Sequence, residues 1–143
     1  MSSASSFVSD YLSLDFRADL NLLVMRWLRD VNLAELQAGF AEAQALVEQH
    51  GAHHWFVDVR RRGALNASDS AWVADVFLPQ MARQLEPKLL VVAYLLAPFR
   101  AKAIQEQAPL HNTVARAQAS TQPYRLSTFL DEAAAVEWLQ TNP

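Results

Sequence analysis

The chain has no cysteine, which excludes thiol redox chemistry, a disulfide framework and cysteine-held metal sites. Glycine is nearly as scarce. Gly39, Gly51 and Gly63 lie too far apart to write a phosphate-cradling loop, a dinucleotide fingerprint or a Gly-x-Ser-x-Gly nucleophile elbow. Basic residues are not in excess: 12 Lys plus Arg stand against 15 Asp plus Glu, and a formal charge of -3 gives no electrostatic case for a nucleic-acid partner. No apolar run approaches the ~18 residues of a spanning helix, so no membrane insertion is expected. The opening Met-Ser-Ser-Ala-Ser-Ser has neither the basic nor the apolar region of a secretory signal, and a cytoplasmic location is expected.

What is present is a chain of 143 residues, 52% hydrophobic, long enough to bury a sizeable core without a structural metal or disulfides. A flexible lead-in over residues 1–8 and one α/β domain over residues 9–143 are expected. From Tyr11 to Phe16 apolar and polar residues alternate, and residues 22–27 form a second apolar run after the turn residues Ala18-Asp19-Leu20-Asn21, which reads as a hairpin. Asn32 with Glu35 three residues on reads as a capping box, followed by Leu33, Leu36, Phe40, Ala43 and Val47 at helical spacing, and Gly51 closes that helix. Residues 53–59 and 89–96 are apolar on both faces, as central strands are. Between them a helix starting near Ser68 or Asp69 should kink or split at Pro79. Residues 98–123 are harder to read, with a short helix expected from Phe99 to Gln107 and a polar tract behind Pro109 that fits helix or loop. A strand from Tyr124 to Phe129 and a helix from Asp131 to Gln140, capped by Asp131 or Thr128, complete the chain. The order β-β-α-β-α-β-α-β-α predicts one open mixed sheet of about five strands with helices packed on it.

Chemistry candidates are few. His50, His53 and His54 cluster, but no second group of ligands stands at metal spacing, so no metal is expected. The lack of a Cys or of a positioned serine nucleophile argues against an enzyme, and no cofactor is expected. Trp27, Trp55, Trp72 and Trp138 fall on apolar faces and read as core. Asp58, Arg60, Arg61 and Arg62 stand at the carboxyl end of a central strand, where open α/β sheets keep their crevices, and the next helix should aim its N-terminus at the same edge. That makes them candidate anion- or partner-binding residues, against the plainer reading of a solvated loop whose arginines pair with Asp58. Ser68 and Ser70 are candidate phosphoacceptors at the helix start, with Ser68 as a plain N-cap the simpler role.

Four segments carry a resemblance. They are Trp55-Phe56-Val57-Asp58-Val59-Arg60, Trp72 through Pro79, Lys88 to Leu96, and Phe129-Leu130-Asp131 with Ala135 and Trp138-Leu139. In their order and spacing the chain resembles the sulfate-transporter and anti-sigma-factor antagonist (STAS) fold, and more closely its bacterial STAS-like relatives with a similarity to the lipid-binding Sec14 fold. The resemblance implies a non-catalytic regulatory module that contacts a protein partner. In the antagonists a serine directly after the strand is phosphorylated, whereas here an eight-residue loop intervenes before Ser68 and Ser70. The alternative reading is a small-ligand or anion-binding domain using the crevice above Asp58. Self-association as a two-fold dimer is also expected, because many apolar residues must be covered by few charged ones.

Overall fold

A computed structural model describes residues 6–63 and 66–142. Among them the sheet has six strands in the order β1-β2-β3-β4-β5-β6. Strands β1 (Ser6–Val8), β2 (Leu12–Arg17) and β3 (Leu22–Trp27) are antiparallel, and β3, β4 (His54–Asp58), β5 (Leu90–Leu95) and β6 (Tyr124–Phe129) run parallel. The α/β class and the opening hairpin are as expected, with one strand more. The flexible lead-in expected over residues 1–8 is corrected at its end: Ser6–Val8 pairs with residues 13–15 of β2, and residues 1–5 lie outside the described residues.

Helix α1 (Leu33–His50) starts at the expected capping box. The Asn32 side chain accepts from the Glu35 N–H at 2.8 Å, and the Glu35 carboxylate accepts from the Asn32 N–H at 3.1 Å. Gly51, at φ 67°, closes it in the left-handed conformation. The expected break at Pro79 takes a specific form. Helix α2 (Ala67–Trp72) runs into a π-helical turn, Val73–Phe77, and then α3 (Leu78–Leu85), with Pro79 in the first turn of α3. The tract behind Pro98 is a pair of helices, α4 (Pro98–Glu106) and α5 (Ala108–Ala117), each with a proline in its first turn, where the missing N–H costs nothing. The last helix, α6 (Glu132–Thr141), is capped by Asp131, whose carboxylate accepts from the Ala134 N–H.

Every parallel crossover moves the chain one strand further in the same direction, so right-handed connections place α1 to α5 on a single face. The larger core sits there. Leu23, Met25, Trp27, Trp55, Val57, Leu90, Val92 and Tyr124 meet Leu36, Phe40 and Val47 of α1, Phe77 of the π-turn and Met81 of α3. Alternate residues of the same strands, among them Leu22, Phe56, Val91, Ala93 and Leu95, form a smaller core under Ala135 and Leu139 of α6. Trp27 and Trp55 are buried as expected of core residues, while Trp72 and Trp138 are half-buried at its margins. No helix among the described residues is long and apolar enough to cross a membrane.

Candidate functional site

The pleat of β4 decides where the expected site residues go. Val57 and Val59 point toward the large core, and Phe56 and Asp58 toward α6. Asp58 therefore meets Arg26, its register partner on β3, whose guanidinium donates to Asp58 Oδ2 at 2.8 Å and to Glu132 of α6 at 3.3 Å. Arg60 folds back on the same carboxylate, its backbone N–H donating at 3.0 Å and its guanidinium at 3.1 and 3.0 Å. Burial pushes the Asp58 carboxyl up, but the hydrogen bonds from Arg60 and Arg26 outweigh it, and the net position is below the ordinary carboxylate range. This cluster satisfies its own charges, and Arg61 beside it is exposed.

Arg62 goes to the opposite side. A turn in which the Arg62 N–H donates to the Val59 carbonyl ends the strand alternation and lays the guanidinium over Trp27, 5.7 Å from the ring centroid. It is 9% exposed. From the first turn of α4, Arg100 reaches the same region and is 7% exposed. Arg62 Nε and Arg100 Nη1 are buried donors without a hydrogen-bond partner among the described residues. Burial, and after it the Arg62 charge, pull the Arg100 guanidinium down to about 10, so it remains protonated at neutral pH. Leaving a buried donor unsatisfied costs about 1–3 kcal/mol, and more when it is charged.

Both arginines line a cavity of about 80 Å³ between the sheet and the helices. Its floor is Trp27, Tyr94, Leu96, Leu126 and Thr128, from the carboxyl ends of β3, β5 and β6 and just past β5. Leu36 and Phe40 of α1 wall one side, Val73 and Ala74 of the π-turn another, and Ile104, Leu110 and Val114 of α4 and α5 the rest. Tyr94 faces it as a phenol: burial pushes it up to about 12 despite the Arg62 and Arg100 charges nearby. Among the described lining residues the one acid is Asp69, on α2. The cavity lies on the sheet face opposite Asp58, and of the expected site residues Asp58, Arg60, Arg61 and Arg62 it takes in Arg62 alone. The order β3 to β6 never reverses, so it is not a switch point between strands; it is the space beneath α4 and α5.

Ser68 and Ser70 separate in the same way. The N-cap is Asn66, whose side chain accepts from the Ser68 and Asp69 N–H groups, so the N-cap role expected of Ser68 is corrected: Ser68 stands inside the first turn with its hydroxyl donating to Asn66 at 2.7 Å. Ser70 lines the cavity. Of the histidines, His50 stacks on Phe16 at 4.4 Å, and His53 and His54 lie 4.2 Å apart at the other end of β4. No three His, Asp or Glu residues among those described converge to hold a metal ion. Arg100 carried no sequence signal, since a lone arginine after Pro98-Phe99 reads as a helix surface residue.

No family model, no curated protein and no solved structure matches the chain.

Proposed function

We propose that the protein is a non-catalytic binding domain for a small anion with an apolar body, held in the cavity beneath α4 and α5. The observation that carries this reading is the pair of buried guanidinium N–H groups, Arg62 Nε and Arg100 Nη1, that share an apolar cavity and meet no acceptor among the described residues. Two like charges placed together out of water are unfavourable until an anion lies between them. Planar guanidinium groups are suited to the oxygens of such an anion. The test is thermal stabilisation. A ligand at a hundred times its Kd adds about 2.7 kcal/mol to the folded state. Carboxylate, phosphate and sulfate salts are compared at matched ionic strength in the wild type and in the Arg62→Met/Arg100→Met double variant. Stabilisation of the wild type alone by at least one anion supports the reading, and equal response of both proteins to every anion removes it.

A second reading, the protein-contact role implied by the STAS resemblance, is supported by the element order and by two exposed side chains. Phe99 is 49% and Leu130 61% exposed, and both follow parallel strands at the cavity end of the sheet. With a second copy as the partner, light scattering shows a dimer that Phe99→Ser with Leu130→Ser dissolves; a monomeric wild type at high concentration ends that version.

A further inference from the structure

We infer that the ligand is a compact monocarboxylate, a carboxyl head on a short apolar body, bound head-first between Arg62, Arg100 and Tyr94. This rests on the anion-binding reading above and narrows it by charge, hydrogen bonding and size.

The charge argument comes from the lining itself. Arg62 and Arg100 contribute two positive charges, Asp69 one negative charge, and Tyr94 none, because its phenol stays protonated. One net positive charge is balanced by a monoanion. A phosphate dianion would leave surplus negative charge against a lining that is mostly apolar. The donors point the same way. Guanidinium groups serve phosphate as well as carboxylate, but many phosphate sites add runs of backbone N–H groups at a glycine loop or a helix start for the further oxygens. Here the buried unpartnered donors are two guanidinium nitrogens, and the Thr113 hydroxyl is already given to the Pro109 carbonyl at 3.0 Å. Two such N–H groups and a neutral phenol suit the two oxygens of a carboxylate.

Size comes from the cavity. About 80 Å³ is roughly half the 150 Å³ of an engineered cavity that admits benzene, which is space for a carboxyl head and the first carbon or so, and because the cavity is partly open a short body can continue into its mouth. Phe40, Val73, Leu96, Ile104 and Val114 are among the apolar side chains around that space and suit an apolar body behind the head, while Asp69, Ser70, Thr113 and Thr128 are the other polar side chains of the lining.

Calorimetry on the full chain tests this with four probes: butyrate, its neutral isostere butyramide, butyl phosphate at a pH where it is a dianion, and laurate. The expected result is that butyrate binds at least tenfold more tightly than each of the other three. Arg100→Met should lose butyrate binding by at least tenfold, and Arg100→Lys, which keeps the charge without the planar fork, should lie between. Because butyramide is compared on the wild type, the result does not depend on how well a variant folds. Butyl phosphate binding as tightly as butyrate, with loss in Arg100→Met, overturns the carboxylate assignment and leaves the anion-binding reading standing. Laurate binding more tightly than butyrate overturns the size assignment alone. Equal or absent binding of butyrate and butyramide, with no response to butyl phosphate, overturns both.

Discussion

The Tyr124 hydroxyl donates to the Ala74 carbonyl at 2.9 Å, and this one bond ties the first residue of β6 to the π-turn that forms one wall of the cavity. It supplies a donor that the helix itself withholds. In the π-turn the Leu78 N–H, which would ordinarily serve Ala74, is given to Val73. The residue five places after Ala74 is Pro79, which has no N–H to give. Burial, with Tyr94 and Asp75 adding to it, pushes the Tyr124 phenol up to about 12, so the hydroxyl is a donor throughout the neutral range.

Tyr124→Phe should therefore destabilise the fold by about 1–3 kcal/mol, the usual cost of leaving a buried acceptor unpaired. Restoring a backbone N–H with Pro79→Ala should reduce that loss. Chemical denaturation of the wild type, both single variants and the double variant measures the coupling, and strict additivity would show that Pro79 has no part in it.

Gly39 of α1 lies flat on the core. A Cβ there would stand 2.5 Å from the Trp27 ring and 2.9 Å from Leu12, both fully buried. Gly39→Ala should cost about 1–3 kcal/mol through overpacking, although alanine is the better helix former. An unchanged denaturation midpoint would mean that Trp27 can move aside.

Asp58 gives a pH signature. Its folded-state carboxyl is held below the ordinary 3.8, so the stability it adds is fully present above that value and is lost as pH falls through the lower folded one. The stability difference between the wild type and Asp58→Asn should be constant from neutral pH down to about 5 and shrink below about 4. A difference that grows on acidification has the wrong sign for this network.

The two arginine clusters should behave independently. Arg62→Ala removes a cavity donor and should abolish anion binding, whereas Arg60→Ala, together with the control Arg116→Ala on the α5 surface, should leave it intact. Without ligand, Arg100→Met should be neutral or stabilising, because a buried like-charged neighbour is replaced by an apolar chain of similar length. Binding and denaturation measured on the same proteins separate these effects.

The fold was largely legible because local signals agreed with it. The Asn32–Glu35 capping box, Gly51 and the two-sided apolar strands each named an element that forms. Strand β1 was not legible, since three residues are too few to show a period of two and most of its stability comes from pairing with β2. Helix α5 was obscured by Pro109 and a polar surface; its buried residues, Leu110, Thr113 and Ala117, include only one large apolar side chain. The Pro79 break was visible, but the π-turn comes with a tertiary bond from Tyr124 to Ala74, which no local window contains. At the site, Asp58, Arg60 and Arg62 read as one group because they are adjacent in sequence. The strand pleat and the turn after Val59 divide them between the α6 face and the cavity. Arg100, the partner of Arg62, lies thirty-eight positions downstream in the segment where the pattern was weakest.

The most direct test of the anion cavity is the nitrogen-15 spectrum of the arginine side chains, recorded while butyrate is added to the wild-type protein. Arg62 Nε–H, now a buried donor without an acceptor, should move downfield in a saturable way as it gains a charged hydrogen bond, while Arg60 Nε–H, already bonded to Asp58 at 3.1 Å, should stay in place. An Arg62 resonance that stays still through the titration, or that moves no more than Arg60 does, would contradict the account.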